Sequence, residues 1–302
     1  MALGKGVEER RKAFNGGWRP SLGDKSIDDQ RGVDPASGVL AGETETRVNV
    51  KDIDLEGMTF RIFSPLDATA ALPTLIYYHG GCFISGEFAT HDKQLRQLAF
   101  HSGCRVIAVQ YRLAPEHQFP VAQDGAHRGA DIVWQHAAQL GVDRQKITLA
   151  GDSAGGHLAL VTALRLKAVN MWLPAQLILI YPMLDATAYF ESYVSNGVDY
   201  VITRDALLSG YEMYLGDTDP MHPEASPLWR DDFHGLPPTH LITAEFDPLS
   251  DEGEALYQRL IEQGVECTCQ HHLGVIHGFF QLAGISQAAR GVIRDVAGRL
   301  AK

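Results

Sequence analysis

The sequence predicts an α/β fold: a mostly parallel, eight-stranded sheet with helices on both faces. Three observations carry that expectation. From the third strand onward, short apolar strands alternate mostly with longer helical patterns, as the crossovers of a parallel sheet require. One strand, Ile147–Ala150, is a continuous apolar run of the kind buried on both faces. With 302 residues, 45% of them hydrophobic, the chain can bury the core of one large domain, or of one domain with an elaboration.

In chain order, the strands are expected at Thr44–Val50, Thr59–Phe63, Thr74–His79, Arg105–Gln110, Ile147–Gly151, Leu177–Tyr181, Thr239–Ala244 and Glu266–His271. The first two are joined by a tight "DLEG" and predict an antiparallel hairpin at the start of the sheet. Helices are expected at Asp92–His101, Val121–Gln139, Ala154–Asn170, Arg204–Tyr214, Glu252–Gln263 and Gly284–Leu300. Two segments break the alternation. Residues 1–42 are polar and glycine-rich, with a short helix expected near Val7–Phe14 and isolated aromatics at Phe14 and Trp18. Residues 186–225 form an insertion carrying Tyr189, Tyr193, Tyr200, Tyr211 and Tyr214. A connection that long inside a compact domain is usually functional. Both segments are therefore read as a cap over the strand ends, with 43–185 and 226–302 as the catalytic domain; the alternative is an ordinary connection with surface aromatics.

Composition narrows the partners. The 26 basic and 37 acidic residues give a net charge of −11, with no Lys/Arg run, which argues against nucleic acid. No apolar window approaches bilayer-spanning length, and "MALGKGVEERRKAFNGG" lacks the apolar core of a secretory signal. Four cysteines do not make a disulfide framework in a chain this size, so a cytoplasmic location is the default expectation.

The chemistry concentrates in "KITLAGDSAGGHLALVTALRLK", Lys146–Lys167. A strand ends, the chain turns abruptly, and a helix begins in which Leu158, Val161 and Leu164 fall at apolar spacings with polar positions on the other side. Gly151, Ser153 and Gly155 form G-x-S-x-G across the turn. In such an elbow the serine is held strained and clear of the backbone, and its neighbours must be small because strand and helix almost touch. The helix N-terminus also favours developing negative charge. G-x-S-x-G alone is a loose pattern; the strand–turn–helix setting strengthens it.

A serine hydroxyl needs a histidine to take its proton and a carboxylate to orient that histidine. In this kind of sheet the chain order is serine, acid, histidine. Asp247, in the turn after the strand of "THLITAEFDPLSDEG", is the expected acid, with Asp185, after "LILIYPML", as runner-up. Of 13 histidines, His277 in "CQHHLGVIHGFF" stands where a base belongs; a loop containing Gly274 would let it swing over the strand ends, while His271 and His272 read as structural or solvent-facing. An oxyanion hole is expected from Gly80 and Gly81 in "LIYYHGGCFISG" together with the N–H of Ala154, and His79 is expected to brace that loop. Candidates for the substrate pocket are Cys82, Phe83, Phe14, Trp18, Tyr181, Leu184, Tyr189 and Ile276. An ordinary φ is expected at Cys82, since a left-handed non-glycine residue costs about 1–2 kcal/mol, and its thiol would pack beneath the loop or line the pocket. Cys267, Cys269 and His271 share one strand face, but three ligands on a straight strand do not converge on a tetrahedral ion. No metal and no cofactor are expected.

"HGGC" at 79–82, "YRLAPEHQFPVAQDG" at 111–125, "GDSAGG" at 151–156, "DPLSDEG" at 247–253 and "HGF" at 277–279 together resemble the hormone-sensitive-lipase-like esterases, bacterial family IV. The resemblance runs from about Thr44 to the end, with the motifs in family order. It implies an α/β-hydrolase fold with a helical cap and hydrolysis of short-chain carboxylic esters by Ser153, Asp247 and His277. It also implies homodimers formed at the sheet edge near the eighth strand. The departure is Cys82, where the family usually has a third glycine. A deacetylase or amidase with the same machinery is the near alternative, and a non-catalytic small-molecule receptor on this fold the distant one.

Overall fold

A computed structural model describes residue 31 and residues 39–68 and 70–301. The helix expected at Val7–Phe14, and Phe14 and Trp18, lie outside the described residues. An eight-stranded sheet runs through the molecule in the order β1-β2-β4-β3-β5-β6-β7-β8. The strands are β1 (Val48–Leu55), β2 (Met58–Pro65), β3 (Leu72–Tyr78), β4 (Arg105–Val109), β5 (Val142–Asp152), β6 (Gln176–Ile180), β7 (Thr239–Phe246) and β8 (Cys267–Ile276). β2 runs antiparallel to both of its neighbours, β1 and β4; β3 to β8 pair with one another in parallel.

The expected hairpin is present. Leu55 pairs with Met58 across Glu56 and Gly57, which have φ of 51° and 76°, the double left-handed turn that suits a twisted hairpin. Its first strand starts at Val48 rather than Thr44, because Glu45 ties back the chain there by accepting the N–H and guanidinium of Arg47.

The helices are α1 (Phe88–Ser102), α2 (Val121–Gln135), α3 (Ala137–Leu140), α4 (Ala154–Ala168), α5 (Ser192–Ser195), α6 (Arg204–Leu215), α7 (Ser250–Glu262) and α8 (Gln287–Leu300). One apolar core packs Leu95, Leu98, Val292 and Val296 of α1 and α8 against one sheet face. The other packs Ala126, Val133, Leu158, Leu256 and Leu260 of α2, α4 and α7 against the opposite face. The helix expected over Val121–Gln139 is broken at His136 into α2 and α3. The last helix begins at Gln287, not Gly284, because Ser286 caps it by accepting the Ala289 N–H at 3.2 Å.

Two further departures bear on the site. Helix α4 is not amphipathic: Ala154 through Leu164 are all buried, and only near its end do Arg165 and Lys167 reach solvent. It is a core helix, so its position is set by packing on every side. Strand β8 runs past His271 to Ile276, through a register irregularity opposite Ala244 and Phe246. His277 therefore leaves the end of a strand rather than riding on a mobile loop. Among the described residues no helix is long and apolar enough to cross a membrane.

Because Leu158 is fully buried between α4 and the sheet, Leu158→Ala is expected to cost about 2–5 kcal/mol of unfolding free energy, measured by urea denaturation.

Candidate active site

The turn from β5 into α4 leaves no room for side chains on the glycines. A Cβ on Gly155 would overlap the Tyr78 carbonyl, and one on Gly151 would overlap Gly155. Tyr78 and Gly151 are also register partners, so the ends of β3 and β5 are fused through this contact. Ser153 sits at the turn with φ 55° and ψ −119°, well outside the ordinary range for a serine. Its N–H donates to the Ile180 carbonyl at 2.8 Å, and its own carbonyl accepts the N–H groups of His157 and Met183 at 3.1 and 3.2 Å. The side chain makes no capping hydrogen bond to α4, which leaves Oγ available.

Oγ lies 3.1 Å from Nε2 of His277, and Nδ1 of His277 lies 2.8 Å from Oδ2 of Asp247. All three residues are buried. The sheet explains why the second pair meets: Phe246 is registered with Ile276, so the next residues, Asp247 and His277, leave β7 and β8 side by side. Asp247 keeps its orientation because its other oxygen accepts the Leu249 N–H at 2.9 Å. Tyr181, with φ 35°, places its ring 4.6 Å from the His277 ring and closes one flank. The runner-up acid is engaged elsewhere: Asp185 accepts from Thr187 and from the Trp229 indole. His271 is exposed and pairs with Thr243, and His272 packs near Phe279.

The loop after β3 departs from the sequence-based expectation. The Gly80 N–H donates to Oδ1 of Asp152 at 2.9 Å, so it is not available to a ligand. The N–H groups of Gly81, Cys82 and Ala154 have no acceptor among the described residues. Cys82 does not have an ordinary φ: it lies at 55°, and Phe83 follows at 63°. Two successive left-handed residues cost about 1–2 kcal/mol each, and the fold holds them by closing the loop. Ile84 and Ser85 donate to the Gly81 carbonyl, and Ala114 donates to that of Phe83. His79 does brace the loop, as expected: it stacks on Tyr111 and its Nδ1 lies 2.8 Å from the Gly80 carbonyl.

Several pocket candidates fall elsewhere. Phe83 is fully buried, stacked on Tyr214 at 4.0 Å and edge-on to His157, so it packs under the loop. The Cys82 thiol packs against Gly210 of α6, and burial pushes it up to about 12, which keeps it a neutral thiol at physiological pH. Tyr189 is 82% exposed, because it projects from the surface next to Phe190. Leu184 and Ile276 are buried. Cys267 and Cys269 are half-buried against the core beneath α7, and all four cysteines are free. Among the described residues, no group of three His, Cys, Asp or Glu side chains is placed to hold a metal.

Three supporting groups escaped sequence reasoning. Asp152, the residue before Ser153, is buried and receives the Tyr77 hydroxyl at 2.8 Å, the Gly80 N–H, and His91 Nε2 at 3.0 Å. Burial alone would raise its carboxyl; His91, Tyr77 and Gly80 outweigh that and hold it below the usual carboxylate range. Glu252 lies buried at the start of α7 and accepts from Tyr193 at 2.6 Å and from the N–H groups of Leu184 and Asp185. Arg31 reaches in from the N-terminal segment to donate to the carbonyls of Ile84 and Ala114, and pairs with Glu116 at 2.6 Å. The motif order gave a signal for Asp152 and Glu252, since both sit inside quoted motifs; nothing local marked Arg31.

Comparison with known proteins identifies relatives of this chain. A family model described as the alpha/beta hydrolase fold matches residues 75–281. An ethyl acetate hydrolase of Pseudomonas putida is 32% identical over 269 residues, covering 86% of this chain and 85% of that protein. An arylesterase of Saccharolobus solfataricus is 36% identical over 251 residues, covering 79% and 77%. The structure of a hyperthermophilic esterase from Pyrobaculum calidifontis superposes with a TM-score of 0.93 at 35% identity, covering 100% of this chain and 98% of that one.

Buried histidines around the site give the protein an acid-sensitive range. Burial lowers His79 and His157 from the ordinary 6.5 to about 4. Below about pH 6.5 the unfolded chain binds protons that the folded imidazoles do not, so stability is full above that pH and falls as pH drops toward 4. His157→Gln is expected to lower stability at pH 7.5 and to flatten this slope, measured by denaturant unfolding across pH 4 to 7.5.

Proposed function

The chain belongs to the α/β-hydrolase fold family, as one of its hormone-sensitive-lipase-like carboxylesterases, and from that premise we propose that Ser153, His277 and Asp247 hydrolyse short-chain carboxylic esters through an acyl-enzyme. The observation that carries this reading is the unbroken buried chain from Ser153 Oγ through His277 to Asp247 at 3.1 and 2.8 Å. His277 Nε2 takes the proton as Ser153 Oγ attacks the ester carbonyl. Asp247 fixes the tautomer and stabilises the imidazolium. The carbonyl oxygen becomes an oxyanion, for which the N–H groups of Gly81, Cys82 and Ala154, without acceptors among the described residues, are the donors. Collapse expels the alcohol, which takes the proton from His277. A water then repeats the sequence on the acyl-enzyme and releases the acid. The reading uses no metal and no cofactor.

The segment 186–225, with α5 and α6, and the N-terminal segment up to residue 42 form the cap in this proposal. Support comes from α6 packing on the loop after β3 and from Arg31 reaching the same loop. A homodimer through the outer edge of β8, the last strand of the sheet, completes it. The assembled hydrogen-bond chain counts against a non-catalytic receptor.

Ser153→Ala is expected to abolish hydrolysis of p-nitrophenyl butyrate while the unfolding midpoint stays near that of the wild type. Asp247→Asn is expected to lower kcat about 10⁴-fold by holding the wrong tautomer; an equal loss in Asp185→Asn instead would reassign the acid. Among p-nitrophenyl esters, acetate to hexanoate are expected to outrun long chains. A relative named for ethyl acetate hydrolysis supports this, and faster turnover of an emulsified long-chain triglyceride would contradict it.

A further inference from the structure

Gly210 has no evident reason to be glycine as far as its own helix is concerned. It sits in the interior of α6, Arg204–Leu215, and it is not among the residues with positive φ. Glycine there weakens a helix, since only proline is a poorer helix former. The reason lies across the contact. A Cβ on Gly210 would overlap Sγ of Cys82 and come within 3.2 Å of its Cβ. The thiol has little space to retreat into, because Cys82 is 7% exposed and belongs to the apolar core. One turn further along α6, Tyr214 lies flat on Phe83, with ring planes 13° apart. So α6 touches both of the consecutive left-handed residues of the loop, Cys82 with a gap in its side-chain row and Phe83 with a ring.

We infer that Gly210 is a positioning residue: its missing side chain and the Cys82 thiol form one matched contact through which α6 sets the Cys82 N–H against the developing oxyanion. The inference rests on the reading of that N–H as an oxyanion donor. Oxyanion stabilisation depends on donors held about 2.7–3.1 Å from where the charge will sit. A side chain at 210 would push the thiol, and with it the strained backbone at 82 and 83, out of that range. Binding of the neutral ester draws little on this donor. The loss therefore falls on kcat and leaves KM nearly unchanged.

A mutant cycle tests the contact. Gly210→Ala, Cys82→Gly and the double variant are compared with wild type for hydrolysis of p-nitrophenyl butyrate and for the rate at which an organophosphate, whose phosphoryl oxygen needs the same donors, inactivates Ser153. Gly210→Ala is expected to lower kcat at least about thirtyfold, to change KM less than about threefold, and to slow inactivation by a similar factor to kcat. In the Cys82→Gly background the same alanine is expected to cost less than about threefold, because both overlapping atoms are gone. Full activity of Gly210→Ala, or an equal cost in both backgrounds, overturns the inference. If Gly210→Ala does not fold, Tyr214→Leu serves in its place: removal of the ring under Phe83 is expected to lower kcat at least tenfold at nearly constant KM, and an unchanged kcat overturns the inference. Failure of the esterase reading shows separately, as wild-type protein without turnover or Ser153→Ala protein that retains it.

Discussion

The approach of the β5–α4 turn to the end of β3 is the constraint on which the site depends. Gly155 faces the carbonyls of Tyr78 and His79 with no space for a single added carbon. That closeness forces the intervening residue to stand up from the turn, and Ser153 accepts φ 55° and ψ −119°. A backbone placed so far from its preferred range stores about 1–3 kcal/mol. The fold retains it because α4 is buried along almost its whole length and cannot tilt away. The strain and the all-round burial of α4 are two sides of one arrangement.

Buried carboxylates link this turn to its surroundings. Asp152 joins three elements that arrive from different parts of the chain: the elbow it belongs to, the Gly80 loop, and His91 on α1. Its neighbours keep it ionised despite full burial, so its position is held by charge-assisted hydrogen bonds. Glu252 plays a similar structural part at the start of α7, where it gathers the Leu184–Asp185 backbone and the Tyr193 hydroxyl. Burial dominates there and raises Glu252 well above the ordinary carboxyl value. At Asp152 the donors outweigh burial, whereas at Glu252 burial outweighs the three donors that favour its ionised form.

Much of this was legible in the sequence because the informative features are local. Alternating apolar segments marked the sheet and its order of helices, and glycines flanking a serine marked the elbow. Strand ends marked Asp247 and His277. What was not legible depends on pairing between distant segments. The irregularity that carries β8 on to Ile276 falls at Gly274, whose φ is 72°; the glycine reads in the sequence as a loop, and only the register with β7 shows it to be a bulge within one strand. The engagement of the Gly80 N–H by Asp152 needs β3 and β5 to be neighbours, and it takes one of the expected donors away from any ligand. The left-handed backbone at Cys82 ran against a sound local rule; packing by α6 overrides that rule. The same helix explains why Phe83, an aromatic beside the site, belongs to the core.

In the proposed mechanism the loop after β3 meets its ligand with the amide groups of Gly81 and Cys82 rather than with side chains. Truncating the Cys82 side chain would leave both of those amides in place and would miss their part. The loop's sensitivity lies in what is added: a methyl group at Gly81, whose Cβ would overlap the Ser85 backbone, or a proline that deletes an N–H. For this half of the site, variation among related chains is best judged by volume gained and backbone torsion allowed, not by the identity of the side chain lost.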